Sequence, residues 1–300
     1  MKILVTGASG LLGSNVCKEY SSLFHVYGTY FNHRAVIANC ALIRLDLTEG
    51  TDALNDIHPD VVVHCAAEAD VDACEADPDR ARRSILTMTR NVLAFAQENN
   101  AFLIHISTDA LFDGKEGNHK EEDPLNPINV YSKFKAEAER HIKTHYDQSC
   151  IVRSRFYGWN IQDKQCFAEE VISRLREGKE MICYEANYST QILVNNLADI
   201  MKEIIGNRIT GVFNIVESTK LSRYAFAQMI AEVFALPAEL VKAAPFEDNK
   251  FRASRAQDTS LSNEKARSVF STAILSSKEG LEEMKRLEES GYKKALKNGT

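Results

Sequence analysis

The sequence predicts an α/β protein: a doubly wound parallel sheet with a smaller, partly interleaved C-terminal lobe. Three observations lead there. Short β-rich runs alternate with helical stretches through the first half, the pattern of βαβ units. Those runs are almost continuously apolar instead of alternating, as strands covered by helices on both faces must be. Three glycines stand directly between the first strand and the first helix, in "VTGASGLLGS".

In chain order, "KILVT" (2–6) reads as the first strand and 11–20 as the first helix. "HVYGTY" (25–30) and "ALIRL" (41–45) are strands, with a helix expected over 49–57. "VVVHC" (61–65) is the fourth strand, 78–99 a long helix and "FLIHIS" (102–107) the fifth strand. From 109 to 130 the chain turns loop-like, broken by Asp113-Gly114, Gly117, Pro124 and Pro127, before a polar helix that carries Tyr131 and Lys135. After "CIVRSRFYGW" (150–159) the order loosens. Helices are expected near 166–177, 196–205 and 222–234, short strands near 181–184 and 212–216, and a charged helix near 278–297. This places a first domain at 1–158 and a second lobe mainly at 159–300, with some segments returning to the first.

Composition narrows the partners. With 300 residues, 44% of them hydrophobic and 26% charged, the chain can bury a substantial core. A net charge of -6 without any basic stripe argues against nucleic acid and for a small ligand or another protein. The N-terminus runs straight into a strand without a signal-peptide core, and no apolar run reaches membrane-spanning length, so no membrane partner is expected. Seven scattered cysteines with no C-x-x-C pair suggest neither a disulfide framework nor a metal site; they read as reduced thiols of a cytoplasmic protein.

Chemistry enters at the glycine turn. Gly7, Gly10 and Gly13, with Ser9, Leu11 and Leu12 between and beside them, permit a tight turn, let a dinucleotide pyrophosphate approach the backbone, and aim a helix N-terminus at the phosphate. A plain strand-to-helix joint is the alternative, which the position at the head of a βαβ chain disfavours. At the end of the second strand, "GTYFNHR" has no acid to accept the ribose 2′-hydroxyl but carries His33 and Arg34, which favours NADP over NAD; a solvated loop arginine remains open. Asp46, beside Leu47 in "LDLT", is either a partner for the adenine amino group or a turn aspartate. Cys65, Ala66 and Ala67 in "HCAAEAD" are small enough for a cofactor to lie against the backbone.

Tyr131 and Lys135 are one turn apart on one helical face, which alone describes many solvated helices. Ser107 and Thr108, however, end the fifth strand, at the edge where open α/β sheets bind ligands. A hydroxyl, a tyrosine and a lysine beside a nicotinamide make a reductase site. The lysine is expected to lower the tyrosine pKa from its free value of ~10.

With these elements in this order, the chain resembles the extended short-chain dehydrogenase/reductase superfamily, and within it the dTDP-4-dehydrorhamnose reductase family of sugar-nucleotide reductases. The stretches "GASGLLGS", "HCAAEADVDACEADP", "STDALFDG", "PINVYSKFKAEAE", "ILVNNLADI", "GVFNIVESTKLSRYAFAQMIAEVFAL" and "RASRAQDTSLSN" carry the resemblance along nearly the whole chain. It implies a Rossmann domain binding NADP, or NAD, with a small sugar-nucleotide lobe and a triad of Thr108, Tyr131 and Lys135. The implied activity is reduction of the C4 keto group of a nucleotide-linked 4-keto-6-deoxy sugar, as in dTDP-rhamnose biosynthesis. Arg223 and Arg255 are candidates for the substrate phosphates, with structural ion pairs the alternative, and Trp159 either stacks on the substrate or fills the core. A homodimer stays open. The chain departs from the family's pattern at four places: Ser132 follows the tyrosine in place of glycine, Ala110 replaces an aromatic near the substrate, Ser84 or Ile85 falls where many members carry asparagine, and His64 replaces another asparagine. Two other readings stay in play. One is an NADP-binding regulatory protein resembling the regulatory subunit of methionine adenosyltransferase, and the other is a sugar-nucleotide epimerase with tightly held NAD.

Overall fold

The computed structural model describes residues 1–247 and 250–299. Seven parallel strands form the central sheet. The first five are β1 (Lys2–Thr6), β2 (His25–Tyr30), β3 (Cys40–Arg44), β4 (Val61–His64) and β5 (Phe102–Ile106), joined by β6 (Ser149–Arg153) and by a late strand, Gly211–Asn214. In space the late strand lies at one edge beside β6, followed by β5, β4, β1, β2 and β3. The order reverses between β1 and β4, and the cleft outside that switch point is where ligands bind in such sheets.

Helices cover both faces: α1 (Leu11–Tyr20) on one, and α4 (Met88–Glu98) and α5 (Val130–His145) on the other, with the short α2 (Val71–Ala76) and α3 (Pro78–Arg82) leading into α4. This explains the unbroken apolar strands. Neighbouring residues point to opposite faces, so Ile3, Val5, Val61, Val63, Phe102 and Ile104 pack with Val16, Cys17 and Tyr20 of α1, while Leu4, Val62 and Leu103 pack with Val92, Leu93, Phe95 and Ile142.

The C-terminal half builds a second core and also returns to the sheet. It runs through β7 (Phe156–Tyr157), α6 (Phe167–Arg176), β8 (Met181–Tyr184), β9 (Tyr188–Ser189), β10 (Ile192–Leu193), α7 (Val194–Asn207) and β11, the late edge strand. Then follow β12 (Leu221–Ser222), α8 (Arg223–Val233), β13 (Val241–Ala244), α9 (Glu264–Val269), α10 (Ser277–Glu289) and α11 (Tyr292–Asn298). α7 joins α1 against the sheet, with Leu197, Ile200, Met201 and Ile204 in the first core. α6, α8 and α10 enclose the second core around Tyr157, Phe226, Ile230, Leu281 and Met284.

Three expected elements are revised. The helix expected over 49–57 is one 3-10 turn, Asp52–Leu54, hemmed in by Gly50 at φ 136° and His58 at φ 46°. The helix expected over 78–99 is three pieces: α3, a π turn at Arg83–Thr87, and α4. α2 precedes them as a separate helix, and Asp70 and Asp77 cap α2 and α3. The charged C-terminal helix breaks at Gly291, whose φ of 82° ends α10 and starts α11.

Candidate active site

The glycine turn is built for close approach. Gly7 has φ 68°, and a Cβ there would sit 2.9 Å from the backbone of Ala66 at the end of β4. A Cβ on Gly13 would collide with the Gly7 carbonyl oxygen, so α1 can lie against the turn only as glycine. Above the turn opens a cavity of about 520 Å³, lined by Gly7, Ser9 and Gly10 on one side and by His33, Asp46 and Leu47 on another. Cys65, Ala66 and Ala67 close it along the edge of β4. Asp46 is also a turn residue, its Oδ1 accepting from the Thr48 backbone N–H at 2.9 Å and from the Thr48 hydroxyl at 2.7 Å.

Four expected cofactor contacts fall elsewhere. Gly13 is buried against Gly7 and Ala8 and does not line the cavity. Leu12 is buried in the first core and Leu11 packs against it. Arg34 is exposed and does not line the cavity, whereas Arg80 and Arg83 do. The π turn brings Arg83 and Ser84 to this wall and turns Ile85 inward, so of the two candidates for the family's asparagine position one lines the cavity and the other is apolar core. Nothing in the sequence signals that turn. Gln162, from the second half, reaches over the glycine turn to donate to the Ser9 carbonyl at 2.5 Å.

A second cavity, of about 950 Å³, adjoins the first at Cys65 and Ala67 and contains Thr108, Tyr131 and Lys135. Thr108 follows the end of β5. Tyr131 and Lys135 ride on α5, whose start is fixed by a capping box: Asn129 Oδ1 accepts from the Ser132 N–H at 2.9 Å and from its hydroxyl at 2.8 Å. The serine in place of glycine therefore builds the helix start.

Tyr131 and Thr108 line the same cavity, and burial pushes the tyrosine up to about 12, with the Thr108 hydroxyl opposing and the Asp109 charge reinforcing. Lys135 donates to the Ile106 carbonyl at 2.7 Å. Burial draws it down to about 8, opposed by Glu139 and then Cys65. The expectation that Lys135 lowers the tyrosine is thus revised: burial holds Tyr131 protonated, and the charged neighbours that act on it are Asp109, which raises it, and Arg155, which lowers it.

Asp109, next to Thr108, was not singled out from the sequence, although "STD" ends the strand. It is buried, accepts from the Thr259 hydroxyl at 2.6 Å and pairs with Arg155 at 3.4 Å. Arg155 stands two residues past β6, at the carboxyl edge where ligand contacts collect, so its position was available as a signal. Arg155, Arg223 and Arg255 share one cavity. Arg223 stacks over Phe167 at 4.8 Å and is lowered to about 10 by burial and then by Arg155; Arg255 pairs with Asp72 at 2.9 Å. Ala110, Tyr184, Phe246 and Phe251 add apolar wall. Trp159 does not reach the cavity: it is 1% exposed in the second core, with its indole N–H donating to the Met284 carbonyl at 2.8 Å.

His64, in the asparagine position, binds Thr6 Oγ1 at 2.7 Å and Thr89 Oγ1 at 3.1 Å behind Lys135. All seven cysteines are free, and no group among the described residues is arranged to hold a metal ion. No helix among them is long and apolar enough to cross a membrane.

Comparison with known proteins gives the same neighbourhood. The family model described as the RmlD substrate binding domain matches residues 1–289. The chain is 30% identical over 251 residues, 79% of its length, to methionine adenosyltransferase 2 subunit beta of Danio rerio, covering 75% of that protein. The structure of a hypothetical dTDP-4-dehydrorhamnose reductase from Sulfolobus tokodaii superposes with a TM-score of 0.80 at 32% identity, covering 91% of this chain and 96% of the other. That of the Bacillus anthracis dTDP-4-dehydrorhamnose reductase, in complex with NADP, shares the fold with a TM-score of 0.83 at 23% identity, covering 95% and 98% of the two chains.

Proposed function

Because the chain belongs to the RmlD substrate binding domain family, we propose that it is an NADPH-dependent reductase, able to use NADH, acting on the C4 keto group of a nucleotide-linked 4-keto-6-deoxy sugar. The observation that carries this reading is the meeting of Thr108, Tyr131 and Lys135 where the glycine-turn cavity joins an arginine-lined one.

The residues present suit a dinucleotide. Side chains are absent at Gly7 and Gly13, where a Cβ would collide with backbone, and no carboxylate stands at 31–34 to repel a 2′-phosphate. A bound nicotinamide cofactor supplies hydride. The remaining work belongs to the chain. Tyr131, kept protonated, delivers its hydroxyl proton to the carbonyl oxygen as negative charge develops there. Thr108 positions the same oxygen and the tyrosine hydroxyl together. Lys135 keeps one N–H on the Ile106 carbonyl and has two more donors for the cofactor ribose. Arg155, Arg223 and Arg255 receive the substrate diphosphate by charge-assisted hydrogen bonds. In this reading residues 1–158 serve the cofactor and 159–300 mainly the substrate.

The test is NADPH oxidation against a panel of nucleotide-linked 4-keto-6-deoxy sugars, with Tyr131→Phe beside the wild type. Turnover should fall about a hundredfold to ten-thousandfold in the variant, with NADPH affinity nearly unchanged. Equal rates would remove Tyr131 as the acid. A second reading is favoured by the similarity to methionine adenosyltransferase 2 subunit beta: a regulatory protein that binds the cofactor without turning over a sugar. NADPH binding without turnover on any sugar, together with retention of a partner enzyme, would select it.

A further inference from the structure

A buried ion pair beneath the triad has no part in the chemistry above. Glu139 lies one turn beyond Lys135 on the same face of α5, and its side chain and that of Arg153, the last residue of β6, are each 2% exposed. The carboxylate is fully committed. Its Oε1 accepts from the Ser107 hydroxyl at 2.5 Å and from Arg153 Nε at 3.0 Å, and its Oε2 accepts from Arg153 Nη2 at 2.8 Å. Arg153 Nη1 also donates to the Glu121 carbonyl in the loop after β5, at 3.2 Å.

One carboxylate therefore touches the residue before Thr108, shares a helix face with Lys135, and binds the strand that leads to Arg155. We propose that Glu139 is a positioning residue: through Ser107 and Arg153 it fixes the ends of β5 and β6 against α5, setting Thr108, Lys135 and Arg155 in register. A buried pair replaceable by apolar side chains at little cost in stability is retained more readily for such placement than for stability. The roles of Thr108 and Lys135 rest on the reading above; their placement by Glu139 does not.

Lys135 reports on this placement independently of turnover. It is faced by Glu139 from its own helix, by His64 and Cys65 from the end of β4 and by His105 from β5. Of these, Glu139 is the strongest influence holding its proton on. The double variant Glu139→Leu/Arg153→Met removes both charges of the pair together, so neither Glu139 nor Arg153 is left as an unpaired charge in the core.

The double variant should unfold at or above the wild-type temperature. Its Lys135 titration midpoint, followed by NMR of the lysine side-chain nitrogens and assigned with Lys135→Arg, should drop by about one pH unit or more, and NADPH affinity should fall by about tenfold, each of which corresponds to about 1.4 kcal/mol. An unchanged midpoint together with wild-type NADPH affinity would overturn the proposal. Ser107→Ala covers the case in which the double variant does not fold, because it cuts the link to β5 while leaving the ion pair whole. NADPH affinity should weaken several-fold with little change in unfolding temperature, and wild-type affinity there would equally overturn it. Should the wild type itself bind no NADPH, the enzymatic reading fails, while the NMR shifts of Thr108 and Arg155 in Ser107→Ala, where both charges of the pair remain, still decide this one: shifts identical to wild type would overturn it.

Discussion

At the residue scale, the three glycines of the first turn do different jobs, and the difference can be measured. Gly13 is required by the fold, since a methyl group there would strike the Gly7 carbonyl oxygen and lie 2.8 Å from its carbon. Gly10 is not: its φ of -85° suits any residue, and its nearest neighbour to an added Cβ is the Gly7 oxygen at 3.3 Å. What Gly10 faces is the cavity. Gly13→Ala should therefore destabilise the protein by roughly 1–3 kcal/mol, the usual range for overpacking a tight contact, and weaken NADPH binding as the turn shifts. Gly10→Ala should leave the unfolding midpoint within about 0.5 kcal/mol of wild type and still weaken NADPH binding. Urea denaturation and fluorescence titration of NADPH separate the two. If Gly10→Ala bound NADPH as the wild type does, the cavity above the turn would not be the pyrophosphate site.

At the scale of elements, what was legible follows from periodicity. The strands of the first half could be placed within a residue or so because each is a short apolar run bounded by turn residues, and the glycines marked where a ligand meets the first helix. α5 was legible as a helix, and Tyr131 and Lys135 as neighbours on it. The segmented run before β5 was not, because a π turn is a backbone choice made by packing: Ile85 and Leu86 are pulled into the core and Arg83 and Ser84 left at the cavity. The side chains that arrive from the other half of the chain were equally hidden. Thr259 and Gln162 reach the site through tertiary contacts that no local pattern encodes. The ionisation of Tyr131 was misjudged for a related reason: spacing gives the Lys135 distance but not burial, which dominates. The start of α5 offers an element-scale test. Asn129 accepts from Ser132 and donates to the Ser254 carbonyl at 2.9 Å, so it caps the helix and ties it to the loop beside the arginine-lined cavity. Asn129→Ala should cost about 1 kcal/mol in urea unfolding, and Asn129→Asp, which caps equally well but cannot donate to Ser254, should recover most of it. No difference between alanine and aspartate would mean the cap contributes nothing.

At the scale of the whole molecule, the same buried layer makes stability depend on mild acid. His64 and His105 sit opposite each other on β4 and β5, with ring centroids 5.3 Å apart and each 1% exposed. Burial, followed by the Lys135 charge, lowers His64 to about 3 and His105 well below its ordinary value. In the unfolded chain both take up a proton near pH ~6.5. Their neutral, buried state is therefore fully compatible with folding above that pH. Below it the unfolded chain binds protons that the native state refuses, and stability falls as the pH drops from ~6.5 towards about 3, the His64 value. Each histidine contributes a slope of up to about 1.4 kcal/mol per pH unit, so the pair removes up to about 2.8 kcal/mol per pH unit. A total stability of about 5–15 kcal/mol would then be heavily eroded two to three units below that point. Neither nitrogen of His105 has a hydrogen-bond partner among the described residues, so His105→Leu leaves no partner stranded and should match or exceed wild-type stability at pH 7. Urea midpoints measured between pH 7 and pH 4 should show about half the wild-type loss in that variant, the remainder belonging to His64 and the carboxylates. A variant whose stability declined as steeply as the wild type would show that His105 is not the source, and that its ring is protonated in the folded protein or shielded by a partner it acquires in acid.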